Sequence, residues 1–287
     1  MMKMDFPIEE TVKMRRSVRS YQECPLSPDE KQRIDRYIAG LTNPFSVDIS
    51  FYLLEGKVSA DGEKLGTYGF IKGASDFVGA SVARCELGLE ALGYSFEQLV
   101  LYLTAMGLGT CWLGGTFDRS AFAAAMKLKE GDLFPVISPI GQPLEKKRVF
   151  DSMARWVAKS DSRLAWSSLF YCQDFSRPLT PEQAGDYAFA LEMLRLAPSA
   201  SNKQPWRVVQ GQGVYHFFEA HSIKDGRHGF DIQRTDLGIG ACHFHLAAME
   251  RDLPGRFVKL EDPGIQLPEQ VDYLFSWIGK ETLGTIC

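Results

Sequence analysis

Between Leu196 and Arg207 the chain reads Leu-Ala-Pro-Ser-Ala-Ser-Asn-Lys-Gln-Pro-Trp-Arg, which puts Ser199, Ser201, Asn202 and Gln204 within six residues. Short hydroxyls and amides both donate and accept hydrogen bonds, so such a cluster suits a polyhydroxylated ligand. Pro198 and Pro205 disfavour the helical region for Ala197 and Gln204 and clamp the polar run between two rigid points. The same residue types also cap helices and shape turns. A second group, Arg15-Arg16-Ser17-Val18-Arg19, packs three guanidiniums and a hydroxyl into five residues. Guanidinium forks match phosphate oxygens, and several converging on one group make a phosphate anchor. A basic helix end complementing the helix dipole is the alternative. The third group, Gly107-Leu108-Gly109-Thr110-Cys111-Trp112-Leu113-Gly114-Gly115, follows an apolar stretch from Leu99 to Met106. Its glycines could let backbone N–H groups approach a flat ring, or could simply end a helix and begin a buried turn.

The elements that must carry these groups recur along the chain. Pro25-Leu26-Ser27-Pro28-Asp29-Glu30 returns as Pro178-Leu179-Thr180-Pro181-Glu182-Gln183, displaced by 153 residues. Each copy reads as an extended entry, an N-cap hydroxyl, a proline at the first helical position and then a helix. Leu103-Thr104-Ala105-Met106 matches Leu246-Ala247-Ala248-Met249 at 143, and Ser138-Pro139-Ile140-Gly141 matches Ser276-Trp277-Ile278-Gly279 at 138. Order is kept and the displacement only shrinks, which implies two related halves, 1–150 and 151–287. Periodicity predicts helices at 6–17, 28–40, 86–107 and 118–128 with strands at 47–55 and 133–141 in the first half. In the second it predicts helices at 153–170, 181–196 and 232–251 with strands at 205–210, 214–219 and 271–279. Helices interleaved with few strands favour an α+β fold, each half a β-sheet covered by helices. No complete Gly-x-Gly-x-x-Gly fingerprint is present, so a Rossmann nucleotide site is not expected.

At 287 residues, 45% hydrophobic and 24% charged, the chain has the make-up of a soluble globular protein with a sizeable core. A net charge of -4 gives no global reason to expect a nucleic acid or an anionic membrane as partner. With no long apolar run and no signal-peptide core after Met1-Met2-Lys3-Met4, a cytoplasmic location is the default expectation. The six cysteines form no Cys-x-x-Cys pair and read as reduced thiols. His243 and His245 point to different faces of a helix, so no metal site is expected from them.

The string Ala197 to Trp206 resembles the Pro-Ser-x-x-Asn-x-Gln-Pro-Trp motif of FMN-dependent nitroreductases, where the segment lies on the flavin. Arg15-Arg16-Ser17-x-Arg19 resembles the motif that opens those proteins and holds the FMN phosphate. Gly107 to Trp112 resembles their Gly-Leu-Gly-Thr-Cys-Trp segment, and Tyr68 to Ala74 resembles a branch with both halves in one polypeptide. Cofactor contacts implied by the resemblance are Arg15, Arg16, Ser17, Arg19, Gly107, Leu108, Gly109, Thr110, Pro198, Ser199, Ala200, Ser201, Asn202 and Gln204. Lys72 would sit beside the flavin pyrimidine, and Lys146 or Arg148, from a basic run that otherwise reads as solvated surface, would reach the phosphate. At these places the second half offers Ser168, Leu169, Phe170 and Cys172 for the arginines and Glu250 to Leu253 for the glycine turn, while Asn43 to Ile49 replace the clamp in the first. The resemblance therefore implies an internal pseudo-dimer that completes one composite FMN site as a monomer, whatever further association occurs. The implied activity is NAD(P)H oxidation with ping-pong hydride transfer through flavin N5 to nitroaromatics, quinones or related acceptors. With the chemistry on the flavin, no catalytic side chain is expected. A flavin-holding sensor with little turnover, or a dehalogenase or flavin-modifying relative, are the alternatives.

Overall fold

The computed structural model describes residues 6–55, 66–144, 162–223 and 229–279. The chain divides into two compact units, Lys13–Phe150 and Met1–Val12 with Asp151–Cys287. The α+β class expected from the sequence holds, with one helix-covered sheet in each unit. Among the described residues no helix is long and apolar enough to cross a membrane.

The first helix, α1 (Ile8–Met14), precedes a sheet of β1 (Ile49–Glu55), β2 (Asp76–Val82), β3 (Gly109–Thr110) and β4 (Leu133–Gly141), in the order β1-β2-β4-β3 and antiparallel throughout. Helix α2 (Pro28–Ala39) begins as its sequence dictates. Ser27 caps it, Glu30 closes a reciprocal capping box, and Pro28 needs no partner for the N–H it lacks. Buried Asp76 fixes that entry to the sheet by accepting the Leu26 N–H at 2.8 Å and pairing with Lys31 at 3.5 Å. Helix α3 (Gly88–Ala105) is buried along nearly its whole length, and α4 (Arg119–Met126) closes a core of Phe77, Phe117, Phe122, Phe134 and Ile137. Strand β2 lies outside the sequence expectation because Gly79, Ala80 and Ser81 break any apolar alternation. Close packing demands the small residue: a Cβ on Gly79 would come within 2.9 Å of the Met126 sulfur.

The second sheet is ordered β5-β6-β7-β9-β8, from β5 (Phe170–Cys172), β6 (Trp206–Gly211), β7 (Val214–Ala220), β8 (Gly255–Val258) and β9 (Val271–Gly279). Only the β5–β6 pair is parallel. Its β6-β7-β9-β8 part repeats the order β1-β2-β4-β3, and an 18-residue helix connects β2 to β3 in the first (α3) and β7 to β8 in the second (α7, Gln233–Glu250). Three expected helices are corrected. The one placed at 6–17 ends at Met14, because Ser17 and Val18 pair with Thr110 instead. Of the helix placed at 153–170, residues 153–161 lie outside the described residues; in the rest, Trp166–Ser168 is a 3₁₀ turn, and Phe170 enters β5, fully buried beside Val208. The helix placed at 181–196 breaks at Gly185, whose φ of 55° and ψ of -129° only glycine adopts readily, giving α5 (Pro181–Ala184) and α6 (Ala188–Leu196).

Candidate functional site

Past Met14 the arginine segment runs as extended backbone along the end of the first sheet. Val18 N–H donates to the Thr110 carbonyl at 2.8 Å, and Ser17 bridges Thr110 in parallel. Lys72 N–H then donates to the Arg19 carbonyl at 2.9 Å and Tyr21 N–H to the Lys72 carbonyl at 2.8 Å, so the segment is held on two sides. Backbone pairing thus brings Arg15 to Arg19, Lys72 and the Gly109-Thr110 turn together.

Alternation along an extended segment puts Arg15, Ser17 and Arg19 on one side. All three act on the buried Cys111 thiol. Burial pushes that thiol up, while the Arg19 charge, a Ser17 hydrogen bond and the Arg15 charge draw it back. Burial likewise pushes up the hydroxyl of Tyr21, which donates to the Val18 carbonyl at 2.7 Å. The Arg19 guanidinium lies 4.8 Å over the Phe70 ring. Among the described residues no acid pairs with Arg15, Arg16 or Lys72, and the Arg15 Nε is buried without a hydrogen-bond partner. Cations gathered this way, with a desolvated donor left over, suit a phosphate or another multivalent anion.

The glycine turn is a helix cap. Gly107 takes φ 81° after α3, its N–H donates to Thr104 and the Leu108 N–H reaches back to Leu103, both at 2.9 Å. This is the Schellman arrangement, in which glycine meets the left-handed position at least cost. Gly109 answers a different demand, since a Cβ there would come within 3.0 Å of the Val18 side chain. The same cap ends α7, where Asp252 takes φ 53° and Leu253 N–H donates to Ala248 at 2.9 Å. The counterparts of Gly107 and Leu108 are therefore Asp252 and Leu253, two residues beyond the sequence alignment, and the turn itself persists. Leu169 to Cys172 run beside β6, whereas Arg15 to Tyr21 run beside Thr110 of β3, Lys72 and Pro143, so the offset that aligns these segments does not give them equivalent neighbours.

In the other unit, α6 stops at Leu196 and Ala197 adopts the extended backbone that Pro198 imposes, with φ -57° and ψ 148°. Ser201, Asn202 and Gln204 then all take left-handed backbone, at φ 51°, 54° and 51°. Such a run of non-glycine residues persists only where the surroundings over-determine it. Ser199 Oγ accepts the Gln204 N–H at 2.8 Å. The Gln204 side chain, buried, accepts the Leu164 N–H at 2.8 Å and donates to the Asn202 carbonyl at 3.2 Å. Asn202 donates to the Ser162 carbonyl at 3.0 Å. Much of the cluster's polar capacity is thus spent on its own backbone, while Ser201 is exposed and Pro198, Ser199 and Ala200 are half-buried. Lys146 and Arg148 lie outside the described residues.

Three supporting residues have no sequence signature strong enough to single them out. Asp236, in the first turn of α7, accepts the Ala200 N–H, and Arg163 donates to the last carbonyl of α6, Leu196, at 2.9 Å. Glu97, fully buried in α3, accepts the Trp112 indole N–H at 2.7 Å. For Asp236 and Glu97 the signal is a charge on a stretch otherwise destined for the core, while Arg163, on an exposed stretch, offers none.

A family model described as "Putative TM nitroreductase" matches residues 7–248. No curated protein matches the chain. Among solved structures, the chain is similar to a Thermotoga maritima protein described as "a putative nitroreductase", at 20% identity over 97% of this chain and 96% of that one, with a TM-score of 0.61. A Bacteroides fragilis nitroreductase with bound FMN aligns at 20% identity over 50% of this chain and 95% of its own, with a TM-score of 0.40. An FMN-dependent nitroreductase of Clostridium difficile does so at 16% identity over 50% and 92%, with a TM-score of 0.39. The Thermotoga protein establishes the shared fold along nearly the whole chain, and the family model covers well over half of it. The chain belongs to the TM nitroreductase family.

Proposed function

We propose that this chain is an FMN-dependent oxidoreductase that passes reducing equivalents from NAD(P)H to nitroaromatics, quinones or related acceptors. The observation that carries the reading is the cationic end of the first sheet, where Arg15, Arg16 and Lys72 meet no acid among the described residues and the Arg15 Nε is a buried donor without a partner. A flavin phosphate fits that donor set. Arg15 and Arg19 would hold it, with Ser17 adding a hydroxyl, and Thr110 fixes the segment's backbone. The Leu108 and Gly109 backbone would lie near the ring system. Bound FMN supplies hydride acceptance and donation; the side chains bind, orient and exclude water. We further propose one FMN per chain.

The test is the visible spectrum of the purified protein followed by anaerobic addition of NADH or NADPH. Flavin bands that bleach within the mixing time and return on addition of a quinone or nitroaromatic are expected. Absence of flavin uptake would overturn the cofactor assignment. Bound flavin that neither nucleotide reduces would leave a flavin-holding protein rather than an enzyme.

A further inference from the structure

Just past the end of β7, His221 stands among three carboxylates. Its Nδ1 lies 3.1 Å from Glu219 Oε1 and 3.6 Å from Asp231 Oδ2, and its Nε2 lies 2.9 Å from Asp272 Oδ2. Glu219 and Asp272 are register partners on β7 and β9, while Asp231 comes from the segment that enters α7. The Glu219 carboxylate is fully buried, and its other oxygen, Oε2, meets Arg234 Nε at 3.2 Å.

We infer that Glu219, His221 and Asp231 form a site for one divalent transition-metal ion of the zinc class. With Nε2–H donated to Asp272, the Nδ1 lone pair faces two carboxylate oxygens, and those three groups repel unless a cation lies between them. Carboxylate–histidine–metal triads orient the ligating imidazole in this way. A proton on Nδ1 is the competing cation. Among the described residues, three carboxylates against one guanidinium leave two negative charges around the imidazole, and a single proton cancels only one of them. A divalent ion cancels both, which matters where one carboxylate has no access to water.

The geometry agrees. The three ligand atoms all lie within 4.8 Å of one another. Zinc–ligand bonds of about 2.0–2.2 Å in a tetrahedron put neighbouring ligands about 3.4 Å apart, between the two separations measured from Nδ1. His221 and Asp231 are partly exposed, which gives the ion an entry path and a water for its fourth position. One imidazole with two carboxylates suits zinc or manganese better than a soft, thiolate-seeking ion. Bound there, the ion would clip the end of β7 to the segment that leads into α7, a structural role that owes nothing to the flavin reading.

The experiment uses the full chain, stripped with chelator and dialysed, titrated with Zn²⁺ by calorimetry and with Co²⁺ by visible absorption. One ion per chain and a melting temperature that rises with Zn²⁺ are expected. Asp231→Asn and His221→Gln should each weaken binding at least tenfold, and Asp272→Asn, which only orients the ring, by about 10- to 100-fold. Circular dichroism identifies any variant that fails to fold, and the remaining variants and the wild-type cobalt spectrum then decide. Absence of saturable one-to-one binding, or equal affinity in the folded variants, overturns the site.

Discussion

Both carboxylate oxygens of Asp236 accept the Ala200 N–H, at 3.0 and 3.1 Å, and so tie the first turn of α7 to the Ser199–Gln204 turn. Burial raises the Asp236 carboxyl well above the ordinary range, partly opposed by that N–H. A raised folded-state value means that the folded chain holds the proton longer, so this group's effect on stability is neutral below the unfolded value near 3.8 and increasingly unfavourable as pH rises above it. Asp236→Asn keeps an acceptor for Ala200 and cannot ionise. Its unfolding free energy, from urea melts, should fall less with rising pH above about 4 than the wild type's. Parallel curves would show that Asp236 does not carry this charge.

Val18 and Gly109 are in contact at the limit of packing. Gly109→Ala should cost about 1–3 kcal/mol through overpacking. Val18→Ala in the same chain should restore much of that loss. Gly107→Ala, strained by its left-handed backbone instead, should cost about 1 kcal/mol and gain nothing from Val18→Ala. Denaturant midpoints separate the two cases, and equal rescue of both glycine variants would contradict the assignment.

His245, against Phe257 and Trp277, is pushed down by burial to about 4 from an ordinary 6.5. The unfolded chain takes its proton near pH 6.5 and the folded chain only near 4. This contribution is whole above 6.5 and is lost as pH falls through that window, with a slope approaching about 1.4 kcal/mol per pH unit. His245→Phe should flatten the acid limb of stability between those values, measured by thermal melts against the wild type. An unchanged acid limb would place the acid sensitivity elsewhere.

What sequence made legible was whatever is local. The Ser27-Pro28-Glu30 entry to α2 and the ends of β4 and β9 follow from caps and apolar runs. Strand β2 escaped because Gly79 yields its side chain to Met126, a tertiary demand without a periodic trace. The arginine segment looked like a helix end, yet pairing with Thr110 and Lys72 drew it into the sheet. For Asn202 and Gln204 the residue types were visible but the direction of their bonds was not, because backbone partners at Ser162 and Leu164 lie some forty residues upstream. Asp272 reaches Glu219 only through strand register and Asp231 reaches His221 only through the entry to α7, neither of which residue spacing encodes.

The most direct measurement of the phosphate assignment is a titration of apo-protein with FMN and with riboflavin, in the wild type and in Arg15→Ala. Truncating one partner of a desolvated charge pair costs about 2–5 kcal/mol. The wild type should prefer FMN, and Arg15→Ala should lose about that much FMN affinity while binding riboflavin nearly as before. Equal loss for both ligands, or a wild type indifferent to the phosphate, would contradict the account.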